Sequence, residues 1–319
     1  MRITFVNRLT GILWGGGETF DLEVARALRC LGHSVEFVIG RRWTALDIPM
    51  MEFPTTYIRT PYLRGIWYRT SDSQRGALQV IGGYAMLLDV ELFERMAFRQ
   101  IVEKRIAERT DVFQLCGLPR LGAWIRQRLH AHSVIVWHGP ARPGFREWNT
   151  LCSGTLAVGD SLASVREYAD PRAVEILPGV NTDLFRRPPA DEVRSRYGVT
   201  EDDVLFIFVG RLIPIKGIPF LLKAFSLAIK ENPHLRLMLV GDGPSKPELE
   251  RDVFRLGLRG YVLFTGRQTG KALVSHYGAA DAFVITSTYE SFSLVTLEAM
   301  ACELPVIATR VGGLQLIVE

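Results

Sequence analysis

The chain has 319 residues, of which 48% are hydrophobic and 23% charged, with a formal net charge of +4. That is enough for two domains of ordinary size with buried cores, and the near-neutral balance excludes the electrostatic footprint of a dedicated nucleic-acid binder. No run of about 18 apolar residues reads as a membrane span, and Cys30, Cys116, Cys152 and Cys302 lack metal-ligand spacing, as in a reduced, intracellular protein.

The opening "RITFV" is short, apolar and β-branched, so it predicts a buried strand. The glycine-rich "GILWGGGETF" follows. Phe20, Val24, Ala27, Leu28 and Leu31 then recur at helical spacing, and Gly32 suits a C-cap. "SVEFVIG" is the next strand, and this β-α-β order implies a parallel sheet. Residues 41–75 read as irregular and 88–109 as helical. Further strands are expected at Asp111–Gly117, His132–Gly139, Gly154–Ser161 and from Ala173 into a turn ending near Phe185. Between the first two of these, Arg120–His132 forms a basic amphipathic helix. It either packs on the sheet, the favoured reading, or lies on an anionic membrane.

The texture resets after Phe185 with the polar, proline-containing "RRPPADEVRSRYGVTEDD". "VLFIFVGR", "LRLMLVGDGP", "YVLFTG", "DAFVITS" and "LPVIATR" follow as strands with helices between them. The expectation is two doubly wound α/β domains, residues 1–185 and 186–319. The second reads as incomplete, because such a domain normally continues with more helix and strand than follow "VGG".

Ligands of open parallel sheets bind where strand carboxyl ends lead into helices. In "WGGGETF" consecutive glycines before a helix let backbone amides approach an anion, or simply make a tight turn. It is not the dinucleotide fingerprint, since Phe20 occupies the third glycine position. In "VGRLIPIKG" Arg211 and Lys216 put two cations at a sheet mouth, which suits a diphosphate or a solvated surface. "VGDGP" reads first as a turn, and His138 ends an apolar strand. In "TYESFSLVTLEAMA" Glu290 precedes a helix that Ser291 or Ser293 caps. Leu294, Leu297 and Ala301 form the expected buried stripe, and Glu298 lies a turn and a half inside. The two carboxylates thus share one helix start, either as a site or merely as dipole complement and solvated charge.

Together, "VGRLIPIKG", "VGDGP", "YVLFTG" and above all "YESFSLVTLEAMACELPVIATRVGG" resemble the retaining GT-B glycosyltransferases of family 4, glycosyl transferases group 1. The order "WGGGETFDLEVARALRCLGH" and "LPGVNTDLF" extends the resemblance, more loosely, through the first half. The resemblance implies two Rossmann-like domains facing a cleft. The second would bind a nucleotide-diphosphate sugar, the first an acceptor. Arg211 and Lys216 would neutralise the diphosphate. Glu298 would hold the ribose, and Glu290 would contact the sugar near its reacting carbon. Backbone at Phe292, Ser293 and Leu294 would add donor contacts, as would the glycine loop at Gly243. Gly16 and Gly17 would approach the phosphates, His138 the sugar, and the backbone around Arg267 the base. Glu290, His138, Arg211 and Lys216 are the catalytic candidates.

It further implies retention of configuration and transfer without a metal or other cofactor, consistent with the lack of any Asp-x-Asp triplet. The acceptor would be a glycan, a lipid-linked compound or a small molecule. No nucleic-acid partner is expected, and the location would be cytoplasmic, with or without peripheral contact at the inner membrane face. Relatives often carry glycine where Ser293 and Glu303 stand, and an acidic residue near Leu316. Two other readings stay open: another GT-B nucleotide-sugar enzyme (an inverting transferase or an epimerase), or a non-catalytic nucleotide-sugar-binding protein.

Overall fold

The computed structural model describes residues 1–10, 12, 15–42, 51–61, 63, 76–141, 143–187 and 191–319, with backbone alone at 76–79 and 191. Trp14, much of the stretch read as irregular, and residues 188–190 of the expected linker lie outside the described residues. The chain divides into two compact units, Met1–Leu177 and Pro178–Glu319. The division precedes the expected one at 185, because Leu184 and Phe185 pack against the core of the second unit.

The first unit contains β1 (Arg2–Asn7), α1 (Gly16–Cys30), β2 (Ser34–Arg42), β3 (Thr55–Thr60), α2 (Gly76–Glu103), β4 (Val112–Cys116) and α3 (Pro119–Arg128). It continues with β5 (His132–Trp137), α4 (Arg146–Asn149), β6 (Gly154–Val158), α5 (Leu162–Tyr168) and β7 (Val174–Ile176). Its seven strands run parallel in the order β3-β2-β1-β4-β5-β6-β7. Neighbouring side chains of a strand point to opposite faces. Ile3 and Phe5 of β1 accordingly join Leu22 and Ala25 of α1 in one core. Val6 joins Phe93, Ala97 and Ile101 of α2 and Leu121 and Ile125 of α3 in another. Helices therefore cover both faces, as doubly wound folds require.

The structure departs from the sequence reading in three places here, at β3, α2 and α1, and bears out the packed reading of α3. Strand β3 lies inside the stretch read as irregular and pairs in register with β2. Helix α2 begins twelve residues before the expected 88 and ends at Glu103, with a separate 3₁₀ turn at Ile106–Arg109. Helix α1 buries Glu18 and Asp21 beside Phe20, Leu22 and Ala25, whereas Leu31 is 73% exposed. Gly32 does close it at φ 83°, its N–H donating to the Arg29 carbonyl and that of His33 to Leu28, a Schellman end. Helix α3 buries Leu121, Ala123 and Ile125, so it is a packed surface helix.

The second unit contains α6 (Asp191–Arg196), β8 (Val204–Val209), α7 (Ile218–Glu231), β9 (Leu235–Val240), α8 (Lys246–Arg255) and β10 (Val262–Gly266). Helix α9 (Gly270–Ala279), β11 (Ala282–Ile285), α10 (Leu294–Ala301) and β12 (Val306–Ala308) complete it. Its parallel strands take the order β10-β9-β8-β11-β12. In both units the winding reverses beside the first strand, at β1/β4 and β8/β11, which is where such sheets bind ligands.

Candidate functional site

The loops that leave β8 and β11, on either side of the second switch point, carry the opposite charges. Lys216 ends a 3₁₀ turn and Glu290 lies in the loop before α10. The Lys216 ammonium donates to Glu290 Oε1 at 2.5 Å, with the two side chains only 18% and 11% exposed. Ser287 Oγ donates to the same oxygen at 2.6 Å. A half-buried ion pair of this kind holds both groups in one geometry, and removing one partner strands the other.

The backbone around the pair is interlocked. Gly217 sits at φ +63°, and a Cβ there would lie 2.0 Å from the Thr286 carbonyl oxygen. Thr288 N–H donates to the Ile215 carbonyl at 2.8 Å, and Gly313 N–H to the Glu290 carbonyl at 2.7 Å. The loops after β8, β9 and β10 are joined likewise. Gly210 N–H donates to Val240, Leu212 N–H to Asp242 and Gly241 N–H to Gly266. A Cβ at Gly243 would meet the Leu212 carbonyl oxygen at 2.4 Å, so this candidate residue is required first by the close approach of two loops.

Helix α10 starts differently from the expectation. Ser293 occupies the N-cap position at φ 90°, but its hydroxyl bonds Thr296 Oγ1 rather than a helix N–H. The helix buries Thr296, Glu298 and Ala299, not a Leu294–Leu297–Ala301 stripe. Glu298 thus faces inward, 7% exposed, and its Oε2 accepts a hydrogen bond from the Tyr277 hydroxyl at 2.9 Å. Ser293 and Glu303, two of the glycine departures, both have left-handed φ, 90° and 61°. This conformation costs a side-chain-bearing residue about 1–2 kcal/mol. Arg211 is half-buried just past β8, Arg267 is exposed just past β10, and Phe292 is buried.

The first unit assembles another group. His138 follows β5, and a Cβ on Gly17 would sit 3.2 Å from its ring. Phe20 packs edge-on against the imidazole at 4.9 Å. Nε2 of His138 is buried with no hydrogen-bond partner among the described residues. Burial pushes its pKa down to about 4, so the ring is neutral at pH 7. Gly16, by contrast, has nothing within 4 Å of a would-be Cβ.

Sequence reasoning missed a buried carboxylate on the same helix, α1. Asp21 Oδ2 accepts from Asn7 Nδ2 at 2.7 Å and Oδ1 from Gln114 Nε2 at 3.0 Å. Asn7 Oδ1 in turn accepts from the backbone N–H of Leu9 and Thr10. Burial, above all, raises Asp21 to about 7. It also missed Ser287 and Tyr277, which touch the two glutamates. The one signal was Ser287 ending an apolar strand; Tyr277, inside an apolar helix, gave none.

A family model described as glycosyl transferases group 1 matches residues 189–319. The D-inositol 3-phosphate glycosyltransferase of Thermobispora bispora is 36% identical over 324 residues, covering 94% of this chain and 75% of that protein. The enzyme of that name from Saccharomonospora viridis is 36% identical over 182 residues, 54% of this chain. The match spans only 42% of the latter protein, so the chain corresponds to under half of some relatives. Among solved structures, Anabaena HepE in complex with UDP-glucose superposes with a TM-score of 0.75 at 22% identity, covering 100% of this chain and 83% of that one. Sucrose-phosphate synthase from Thermosynechococcus elongatus gives 0.72 at 21%, covering 100% and 83%. These likenesses establish the GT-B fold.

Proposed function

Because this chain belongs to the group 1 glycosyltransferases, we propose that it transfers a sugar from a nucleotide-diphosphate sugar to an acceptor hydroxyl, with retention of configuration and without a metal. The observation that carries this reading is the Lys216–Glu290 ion pair beside the β8/β11 switch point. In the reaction the anomeric carbon–oxygen bond to the diphosphate breaks and a bond to the acceptor oxygen forms on the same face. The acceptor proton leaves with the diphosphate. Negative charge grows on the leaving group, and preorganised cations lower the barrier most there. Arg211 and Lys216 fill that role. Glu290, held by Lys216 and Ser287, orients the sugar and stabilises its electron-poor carbon. Glu298 takes the ribose hydroxyls.

Backbone at Phe292, Ser293, Leu294, Gly243 and Arg267 completes the donor contacts in the second unit. His138, neutral at pH 7, is assigned to the sugar, and Gly16 and Gly17 to the phosphates. The acceptor is a hydroxyl compound: a glycan, a lipid-linked compound, or a polyol phosphate of the kind for which the relatives are named. The chain is placed in the cytoplasm, with peripheral contact to the inner membrane face for a lipid-linked acceptor. No helix among the described residues is long and apolar enough to cross a membrane.

Thermal shift against a panel of nucleotide sugars identifies the donor, since a true ligand stabilises the native state. NMR of the product from that donor should show the anomeric configuration of the donor, at a rate unaffected by EDTA. An inverted product, or binding without transfer to any acceptor, would overturn the reading.

A further inference from the structure

Tyr277 lies on α9 and Glu298 on α10, the helices before and after β11. The Tyr277 side chain is fully buried, with Phe185 and Phe283 against its ring at 6.2 and 6.3 Å. Its hydroxyl has one proton and two acceptors in reach, Glu298 Oε2 at 2.9 Å and the Val295 carbonyl at 3.2 Å. The shorter bond, to a carboxylate, takes it. Burial, with Glu298 adding to it, raises the phenol well above its ordinary pKa, so it stays a donor throughout the working pH range.

A glutamate side chain has three rotatable bonds, and holding a flexible group in its bound geometry spares the entropy of ordering it later. A ring fixed by packing that donates to one carboxylate oxygen does this for Glu298. We propose that Tyr277 is a positioning residue for nucleotide binding, orienting the Glu298 carboxylate toward the ribose diol. It touches neither sugar nor phosphate, and its role rests on the assignment of Glu298 to the ribose given above.

The test compares a nucleoside diphosphate with its 2′,3′-dideoxy counterpart, which lacks the hydroxyls that Glu298 would accept from. UDP, GDP and ADP are titrated by calorimetry into the purified protein, and the one that binds is paired with its dideoxy form. The unmodified protein should prefer the ribonucleotide by roughly tenfold or more, the usual scale for a hydrogen bond to a charged group. Tyr277→Phe should weaken the ribonucleotide by about fivefold to tenfold and leave the dideoxy form nearly unchanged, compressing the ratio. Glu298→Gln should compress it at least as far, and the double variant no further, as coupled residues behave.

An equal loss for both nucleotides in Tyr277→Phe would mean a structural role only. A ratio compressed in Glu298→Gln but untouched in Tyr277→Phe overturns the role of Tyr277 and spares that of Glu298. A ratio untouched in Glu298→Gln, or no binding of any of the three to the unmodified protein, overturns both. Should Tyr277→Phe fail to fold, 3-fluorotyrosine at position 277 keeps the bond and makes the phenol a stronger donor. A ratio shifted by about twofold then supports the proposal, and an unchanged one sinks it.

Discussion

In the second unit the loops beside the switch point carry charges that answer one another, Lys216 with Glu290, and the buried Glu298 is met by Tyr277. In the first unit the start of α1 brings a bare glycine against the uncharged imidazole that follows β5, and a carboxyl further along α1 is driven toward its neutral form by burial. The two sheets share their winding, so topology fixes where the loops gather but not what they do there. One group is built around fixed, paired charge. The other is built from close packing around a neutral imidazole.

The largest test of that contrast is at Glu290. Glu290→Gln should lower kcat by about 10²–10³-fold, the scale for removing one preorganised electrostatic group. Glu298→Ala should act mainly on the donor KM. Steady-state kinetics that show equal effects of both would erase the distinction between a sugar-facing and a ribose-facing carboxylate.

The next test is pH. The folded pKa of Asp21, about 7, lies above the ordinary 3.8. Its contribution to stability is therefore complete below that ordinary value and is lost as pH rises through about 7. Asp21→Asn should flatten the decline between pH 5 and 7.5 by up to about 1.4 kcal/mol per pH unit, read from urea unfolding. His138 has the opposite sign. Its pKa is depressed to about 4, so its contribution is present above pH 6.5 and lost as pH falls toward 4. The corresponding acid-side loss should disappear in His138→Phe.

A smaller effect is expected at Gly17. In Gly17→Ala the helix gains up to about 1 kcal/mol of propensity, and crowding against His138 costs a similar amount. The melting temperature should hardly move while the imidazole NMR signal shifts and transfer slows. Away from the charged pair, Ser293→Gly and Glu303→Gly should each stabilise the protein by about 1 kcal/mol through relief of left-handed φ. Ser293→Gly should leave donor affinity intact if the N-terminus of α10 binds through backbone alone.

The parallel architecture was legible because buried parallel strands are near-continuous apolar runs, and both units alternate such runs with helices. The start of α2 was not. Val80, Ile81, Tyr84, Leu87 and Leu88 are about half-exposed or more, so apolar residues cover its outer face and erase the amphipathic period. Strand β3 hid in a stretch dominated by arginine and aromatic residues. The charged candidates of the site could be picked out because they fall in short motifs after strands. Partners such as Tyr277, and the buried pair Asn7–Asp21, could not, because Tyr277 meets Glu298 and Asn7 meets Asp21 only through tertiary packing, between residues 21 and 14 positions apart.

The backbone bonds that join the loops after β8, β9 and β10 restrict how this scaffold can change. A main chain committed to its neighbours at Gly210, Leu212 and Gly241 cannot take an extra residue without breaking a bond to the adjacent loop. Diversification of donor preference in such a domain would proceed by exchanging side chains on a frozen frame rather than by lengthening loops. Libraries built on this chain should accordingly randomise identities at the loop tips and leave loop length alone.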